Sequence, residues 1–327
     1  MVRNESWIFP AILIAFVSVL WAAGFALLTG FQSRPSGSTS LAASLVIIAV
    51  AACWRLLRYV VRLWGAGVPD PLRRLRRDFL PAAGAFAPIV IGVAVLGTFL
   101  CSLTFLKSMI VAVVPFWADA PLAAVDRMLH LDPAAIASAL QPVITPVGRF
   151  YGLWHVVHLG GILWVLHWQG GQKSRLIISF MLIWAIGTAL AYVFSSAGPI
   201  FTGRYDPALA PESMRRMVHF LWTNYEQRNA TLGAGISAFP SMHVALAMWF
   251  AFALRAKGLW WLGIAYTVSI FAGSIILGWH YSLDGIGGIG VAIVGWTLAP
   301  HLLNATNNWR GPTLVSVSDL GRPPVVR

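Results

Sequence analysis

Charged residues are scarce in this chain of 327 residues, and acidic residues are fewer than basic ones. Charged side chains make up 10% of the composition, with 11 Asp and Glu against 23 Lys and Arg, whereas 58% of the residues are hydrophobic. A soluble protein needs a far more polar surface, so the composition excludes that class. The only two cysteines, Cys53 and Cys101, lie in apolar stretches. The sequence therefore predicts neither a disulfide framework nor a cysteine metal site.

The chain instead contains many apolar runs, and a run of about 20 residues is long enough to cross a bilayer. The runs predict an all-α fold, a polytopic membrane helix bundle of about eight transmembrane helices. A six-helix catalytic-type core is expected to follow N-terminal spans. The eight predicted spans are Trp7–Phe31, Leu41–Tyr59, Leu80–Leu106, Phe150–Trp168, Leu176–Phe194, Pro240–Leu254, Leu259–Gly278 and Ser282–Leu303.

The basic residues indicate how the bundle is oriented. The net charge of +12 is not interpreted as a nucleic-acid footprint, because the basic residues lie between apolar spans, where anionic headgroups attract them. With a cytoplasmic N-terminus, 15 of the 23 Lys and Arg fall on inner segments. Cytoplasmic loops carry such an excess. The sequence thus predicts an integral protein of a bacterial inner membrane with its active site facing the periplasm.

Two outer segments, Lys107–Arg149 and Ser195–Phe239, are too long to be simple turns. Loops of this size usually carry function or short helices of their own. Residues 1–106 are interpreted as accessory N-terminal helices and residues 107–303 as a catalytic membrane domain. Residues 304–327 are interpreted as a disordered tail, because the chain there mixes Pro, Ser, Gly and Arg.

Three ionisable residues fall at span ends on one face of the predicted bundle. His243 and His280 are 37 positions apart, a separation that fits one helical hairpin and returns both imidazoles to the same side. Asp284 follows His280 by about one helical turn. Its carboxylate can accept the Nδ1 hydrogen of His280 and leave Nε2 as a nucleophile. His243 can then protonate a leaving oxygen and later activate an acceptor.

Each of these residues alone has a simpler interpretation. A single histidine at a span end is typical of the membrane interface, and Asp284 alone would suit a cap or an inter-helix partner. Their combination at these offsets favours a site for phosphate-ester chemistry. Backbone N–H groups at the start of the sixth span, together with Ser241, would favour a bound phosphate.

The strings Pro240-Ser241-Met242-His243 and His280-x-x-x-Asp284 resemble the second and third motifs of the type 2 phosphatidic acid phosphatase superfamily. The wider strings, Ser237–Ala247 and Gly278–Gly288, are most similar to its inositol phosphorylceramide synthase-like branch. The resemblance implies that His280 forms a phosphohistidine, Asp284 orients it, His243 is the acid and base, and Ser241 contacts phosphate. No cofactor is expected, and too few acidic residues lie near the histidines for a metal site.

The usual basic phosphate clamp of that superfamily is missing. Its first motif, a Lys followed seven residues later by Arg-Pro, has no match, and Gly273 and Ser274 stand where the third motif has Ser-Arg. Arg204 is the first substitute, with a solvated loop arginine as the alternative. The weaker candidates are Arg215, Arg216 and Arg228.

His155 and His158 lie on one face of the fourth span with Tyr151 and Trp154. The two histidines are candidates for lining a headgroup pocket, although packing and inter-helix hydrogen bonding are the favoured alternative.

The expected function is a membrane enzyme acting on lipid phosphates at the outer leaflet through a phosphohistidine intermediate. A phospholipid would donate its phospho-headgroup to an alcohol acceptor, as in inositol phosphorylceramide synthases. The alternative is a lipid phosphomonoester or pyrophosphate phosphatase, with water as acceptor. A non-catalytic lipid-binding or transport protein is the competing class. Transporters show inverted repeats and broken helices at the midplane, which the sequence lacks.

Overall fold

The computed structural model describes residues 5–29, 57–228 and 233–309, and these residues form helices and no strands. Four helices are long and apolar enough to cross a membrane, and two shorter apolar helices accompany them. The prediction of an all-α, polytopic membrane helix bundle is therefore confirmed. The four spans are Ile8–Thr29, Ala87–Ile110, Gly171–Val193 and Ser282–Asn308, and the shorter helices are Met242–Arg255 and Trp260–Ile276.

Residues 57–65 are helical. From Pro71 onward, the helices follow one another with short connections, apart from the segment between Val193 and Met242. Two short 3₁₀ helices, Pro199–Phe201 and Pro207–Leu209, lie in that longer segment. The α-helices are α1 Ile8–Thr29, α2 Pro71–Val113, α3 Asp119–Met128, α4 Pro133–Ala139, α5 Gln141–Gly152, α6 Trp154–Leu166, α7 Gly171–Val193, α8 Glu212–Glu226, α9 Met242–Arg255, α10 Trp260–Ile276 and α11 Ser282–Trp309.

The fourth predicted span, Phe150–Trp168, is divided between two helices that are separated by one residue, Leu153. Helix α5 ends at Gly152 and α6 begins at Trp154. A glycine at this junction weakens helix continuation, because it has the most backbone freedom to lose. The segment Lys107–Arg149 contains the short helices α3 and α4, as its length predicted.

Two other boundaries differ from the sequence-based ones. Helix α2 passes without a break through the expected division at residue 107, and α11 includes residues 304–309 of the expected tail. The division into accessory and catalytic parts stays a prediction. Most of the second span, Leu41–Tyr59, and residues 310–327 lie outside the described residues.

Helix α9 lies at the centre of the bundle, in contact with α6, α7, α10 and α11. Its residues from Val244 to Ala247 are all buried, and so is Trp249. The Trp249 indole N–H donates to the carbonyl of Leu176 in α7 at 2.9 Å, which satisfies its only polar atom. The helix that begins beside His243 is thus fixed on several sides.

Small residues let the neighbours of α9 approach its backbone. A Cβ added to Gly288 of α11 would collide with the Ser241 carbonyl oxygen and lie 3.2 Å from the Ala245 nitrogen. A Cβ on Gly263 of α10 would lie 2.5 Å from the Cα of Ala251. Such close contacts are the usual means of helix association in lipid.

We expect Gly288→Ala to destabilise the bundle, because α11 must move away from α9 to accommodate a methyl group. Overpacking of this kind costs about 1–3 kcal/mol. Gly290→Ala is the matched control, since nothing lies within 4 Å of a Cβ there. Thermal unfolding of the purified variants in detergent should show a lower Tm for Gly288→Ala alone. An equal loss in both variants would contradict the close packing.

Candidate active site

His243 and His280 come together at one end of the bundle, where α9 begins and where α10 gives way to α11. Their ring centroids are 5.8 Å apart and the rings are inclined by 61°. His280 is 5% exposed, whereas His243 is partly exposed. The helical hairpin formed by α9 and α10 therefore returns the chain to the face on which it started.

Asp284 lies beneath His280 in the first turn of α11. Its Oδ2 is 3.4 Å from the Nδ1 of His280 and accepts a hydrogen bond from the Tyr281 N–H at 2.8 Å. The carboxylate is fully buried, and its Oδ1 has no hydrogen-bond partner among the described residues. At 3.4 Å the histidine contact does not form a hydrogen bond, and His280 Nδ1 has no hydrogen-bond partner among the described residues. Catalytic contacts of this kind often shorten only in the complex with substrate.

The turn that carries His280 is held by a second buried carboxylate, Asp126 of α3. This side chain is 2% exposed, and it accepts hydrogen bonds from both the backbone N–H and the hydroxyl of Ser282. Ser282 is the first residue of α11. Asp126 therefore acts as a cap for the helix that carries Asp284.

Asp119, on the same face of α3, fixes the loop that follows α7. Its two oxygens accept the N–H groups of Ala197 and Gly198 at 2.8 and 2.9 Å. Gly198 has φ 99°, and a Cβ there would lie 2.5 Å from the Trp279 carbonyl oxygen, so only glycine fits. Sequence analysis missed Asp119 and Asp126, although their seven-residue spacing on an amphipathic helix signals a shared buried face.

Aromatic rings surround His243 on the side away from His280. Tyr151 stacks on the imidazole at 4.9 Å, and Trp154 lies 4.1 Å from it and donates to the His243 carbonyl at 2.9 Å. His158 is buried against Trp154, with its Nδ1 3.0 Å from the Trp154 carbonyl. His155 is exposed, 6.1 Å from His243. Tyr151 and Trp154 lie on either side of the junction between α5 and α6, and both contact His243.

Ser241 is fully buried, and its hydroxyl faces the N–H of Val244 at 3.4 Å in a helix-capping position. Its own N–H donates to the Asp284 carbonyl at 2.8 Å. Ser274, which stands at the position of the third-motif arginine, is also fully buried and donates to Phe271. The site thus contains no basic side chain at position 274.

Arg204 lies close to Tyr281 but belongs to a separate cavity. Its buried Nε has no hydrogen-bond partner among the described residues. It lines a cavity of about 410 Å³ together with Asp126, Asp206 and Tyr281, and neither His243 nor His280 is part of that lining. The structure brings together His243, His280, Asp284 and Ser241, with His155 and His158 at the edge, and places Arg204 beyond the turn.

Lys107 is a further residue that sequence analysis missed as part of the site. The lysine belongs to α2 and lies near enough to the His243 ring to interact with it electrostatically. The Tyr192 hydroxyl donates to the Leu106 carbonyl at 2.6 Å and anchors this end of α2 to α7. A signal was present, because Lys107 precedes Pro115 by the first-motif spacing, with Val114 at the arginine position.

The grouping is suited to phosphoryl transfer through nitrogen. Two imidazoles lie 5.8 Å apart, one of them beside a buried carboxylate, and Lys107 is within electrostatic range of His243. Among the described residues no group of three or more His, Cys, Asp or Glu is placed to hold a metal ion.

Comparison with known proteins gives one family. The sequence model of the PAP2 superfamily matches residues 120–298, more than half of the 327 residues. The matched range contains both histidines, Asp284 and Asp126, whereas Lys107 and Asp119 precede it. No curated protein and no solved structure matches the chain.

The pH dependence of stability should carry a contribution from Asp126. Burial raises the pKa of this carboxyl above its ordinary value, and the hydrogen bonds from Ser282 only partly offset the effect. The folded state then binds the proton more tightly than the unfolded state, so stability falls as pH rises from about 4 through the raised pKa.

The variant Asp126→Asn removes this titration while keeping an acceptor for Ser282. We therefore expect the Tm of the variant, relative to that of the wild-type protein, to rise with pH across this window. Thermal unfolding in a series of buffers measures the difference. A difference that stays constant with pH would contradict the assignment.

Proposed function

The chain belongs to the PAP2 superfamily, and we propose that it is a membrane phosphotransferase that moves a phospho-headgroup from a phospholipid donor to an alcohol acceptor. Members of this superfamily are phosphatases and phosphotransferases that act on phosphate esters. The general chemistry follows from membership. The transfer reaction, of the inositol phosphorylceramide synthase-like type, is the proposal.

The observation that carries the proposal is the pairing of His243 and His280 at 5.8 Å, with the Asp284 carboxylate 3.4 Å from His280 Nδ1. A carboxylate on Nδ1 keeps the hydrogen on that nitrogen and leaves the lone pair on Nε2. Nε2 of His280 is therefore the nucleophile in this mechanism, and Asp284 is the residue that orients it.

In the first step, Nε2 of His280 attacks phosphorus and the bond from phosphorus to the leaving oxygen breaks. The protonated His243 gives its proton to that oxygen, so the lipid alcohol departs neutral. In the second step, the acceptor alcohol loses its proton to His243 and attacks the phosphohistidine. The P–N bond breaks, His280 is regenerated, and the headgroup is now esterified to the acceptor.

The charge of the site favours a phosphodiester donor. A diester carries one negative charge at neutral pH, and a phosphomonoester carries about 1.5 to 2. Besides the proton that His243 carries, Lys107 is the basic side chain near the ring, while the arginine positions of the two motifs are occupied by Val114 and Ser274. Without these two arginines, the second negative charge of a dianion lacks a charge-assisted partner.

Hydrolysis of a lipid phosphomonoester is the second candidate, and Arg204 is the observation that favours it. The buried Nε of Arg204 lacks a hydrogen-bond partner among the described residues, and the side chain lies near Tyr281, next to His280. A rearrangement of the loop that carries Arg204 would add a second cation to the site. Ser241, His155 and His158 are the further candidates for substrate binding in either reaction, with packing as the alternative role of the two histidines.

We expect His280→Ala to lose about 10⁴-fold or more of the activity and Asp284→Asn about 10²-fold. The nucleophile forms the covalent bond, whereas Asp284 only orients it. Because the two act as a unit, the double variant should be little worse than His280→Ala. His219→Ala is the control, since His219 is an exposed histidine on α8. Substantial turnover by well-folded His280→Ala would assign the nucleophile elsewhere.

The donor preference is tested with a lipid phosphomonoester and a headgroup-bearing phospholipid, each with and without an alcohol acceptor. Mass spectrometry of the products should show acceptor-dependent transfer of the headgroup from the diester. Lys107→Gln should weaken this transfer, because the basic side chain near His243 is lost. Rapid phosphate release from the monoester, with no transfer from the diester, would make the protein a lipid phosphatase.

The orientation is also a proposal, supported by the excess of basic residues on the segments assigned to the cytoplasm. Two exposed positions test it, Ser213 on α8 at the histidine end and Ala66 after the helical stretch at residues 57–65. In a cysteine-free background, Ser213→Cys should react with an impermeant maleimide in intact cells and Ala66→Cys only after permeabilisation. The reverse pattern would place the site in the cytoplasm.

A further inference from the structure

A second cavity lies at the opposite end of the bundle from the two histidines. It has a volume of about 410 Å³ and is lined by residues that include Arg58, Trp168, Gln172 and Lys257. Helix α9 starts beside His280 and ends at Arg255, so twelve residues, or about 18 Å of helix, separate His243 from this end. The cavity is therefore distinct from the site described above.

The charge of the lining is entirely positive. Arg58 and Lys257 are the charged residues in it, and no Asp or Glu contributes. Neither cation has a carboxylate partner among the described residues, whereas Lys173 at the same end is paired with Glu5 at 2.8 Å. Both side chains are exposed, and an anion that lies between them would be attracted by two cations at once.

The cavity is also pre-organised for such an anion. The Lys257 ammonium lies 4.1 Å from the centroid of the Trp168 ring, which holds it in a defined place. Gln169 and Gln172 add amide donors to the lining. Helix α7 begins at Gly171 with no side-chain cap, so its first-turn N–H groups remain available beside Gln172. These groups supplement the cations with neutral donors.

The tryptophans in the lining indicate that the cavity lies at the level of the lipid headgroups. Trp164 and Trp168 pack edge to face at 4.7 Å at the end of α6, and both line the cavity. Tryptophan at helix ends is enriched at the level of the lipid headgroups. A basic pocket between helices at this level is suited to the phosphate of a phospholipid.

We propose that this cavity binds the phosphate group of an anionic ligand, held by Arg58 and Lys257, at the membrane face opposite the histidines. The headgroup of an anionic phospholipid and free inorganic phosphate share this chemistry. None of the proposed catalytic residues lines the cavity. The one histidine in the lining, His167, has its Nδ1 2.7 Å from the Leu163 carbonyl and no carboxylate in the lining to activate it, so the site binds without reacting.

The experiment measures ligand retention by native mass spectrometry on the full-length protein in neutral detergent. The probes are a short-chain phosphatidylglycerol, a short-chain phosphatidylcholine and inorganic phosphate. The variants are Arg58→Gln and Lys257→Gln. Arg62→Gln is the matched control, because it removes the same charge one turn further along the helical stretch at residues 57–65 and is not part of the lining.

We expect phosphatidylglycerol to bind more tightly than phosphatidylcholine, and each cavity variant to weaken it about tenfold, the effect of one charge-assisted hydrogen bond. Lys257→Arg should retain binding, since it keeps both the charge and the contact with Trp168. An unchanged Tm in lipid-free detergent shows that the variants are folded. Variant-sensitive binding of inorganic phosphate that competes with the lipid would identify free phosphate as a ligand of the same site.

Two outcomes would overturn the proposal. An equal loss in Arg62→Gln would show that only the general surface charge attracts the lipid. Equal retention of the two lipids by the wild-type protein would show that the cavity does not select a net negative charge.

Discussion

The backbone hydrogen bond from the Ser241 N–H to the Asp284 carbonyl, at 2.8 Å, joins the starts of the two helices on which the rest of the site depends. It exists only because α9 and α11 approach closely enough for Gly288 to lie against the Ser241 carbonyl. His243 is in the first turn of one helix and Asp284 in the first turn of the other. A bulkier residue at position 288 would move α11 away from α9, break this hydrogen bond and separate Asp284 from the start of α9.

Acidic residues are scarce in this protein, and three buried carboxylates each have a partner near the site. Asp119 closes the loop after α7, Asp126 caps α11, and Asp284 lies under His280. An unpaired carboxylate in a bilayer is costly, so such residues persist where they hold backbone or serve function. Two of the three act on the backbone around His280 from outside the helices that cross the membrane. The short helix α3 is therefore part of the framework of the site and more than a connection.

The apolar runs predicted the fold class because helices are the means by which a chain satisfies its own backbone in lipid. The separation of 37 positions between His243 and His280 fits one helical hairpin, so the sequence alone indicated that the two histidines meet. The division at Leu153 was not predicted, because Phe150–Trp168 has the composition of one span. Its role lies in the tertiary contacts of Tyr151 and Trp154 with His243, which a sequence pattern does not show. The positions of Arg204 and Lys107 relative to the site could not be predicted for the same reason. Tertiary packing decides which side chains face a site, and the local sequence pattern does not record it.

The covalent intermediate tests the central claim most directly. Brief incubation of the wild-type protein with a phospholipid carrying an isotopically labelled headgroup, in the absence of acceptor, should be quenched under alkaline conditions that preserve phosphohistidine. Peptide mass spectrometry is then expected to find the phospho-headgroup on His280, and the adduct should disappear when an alcohol acceptor is added before the quench. An adduct on another residue, or steady product formation with His280 unmodified at every time sampled, would contradict the mechanism.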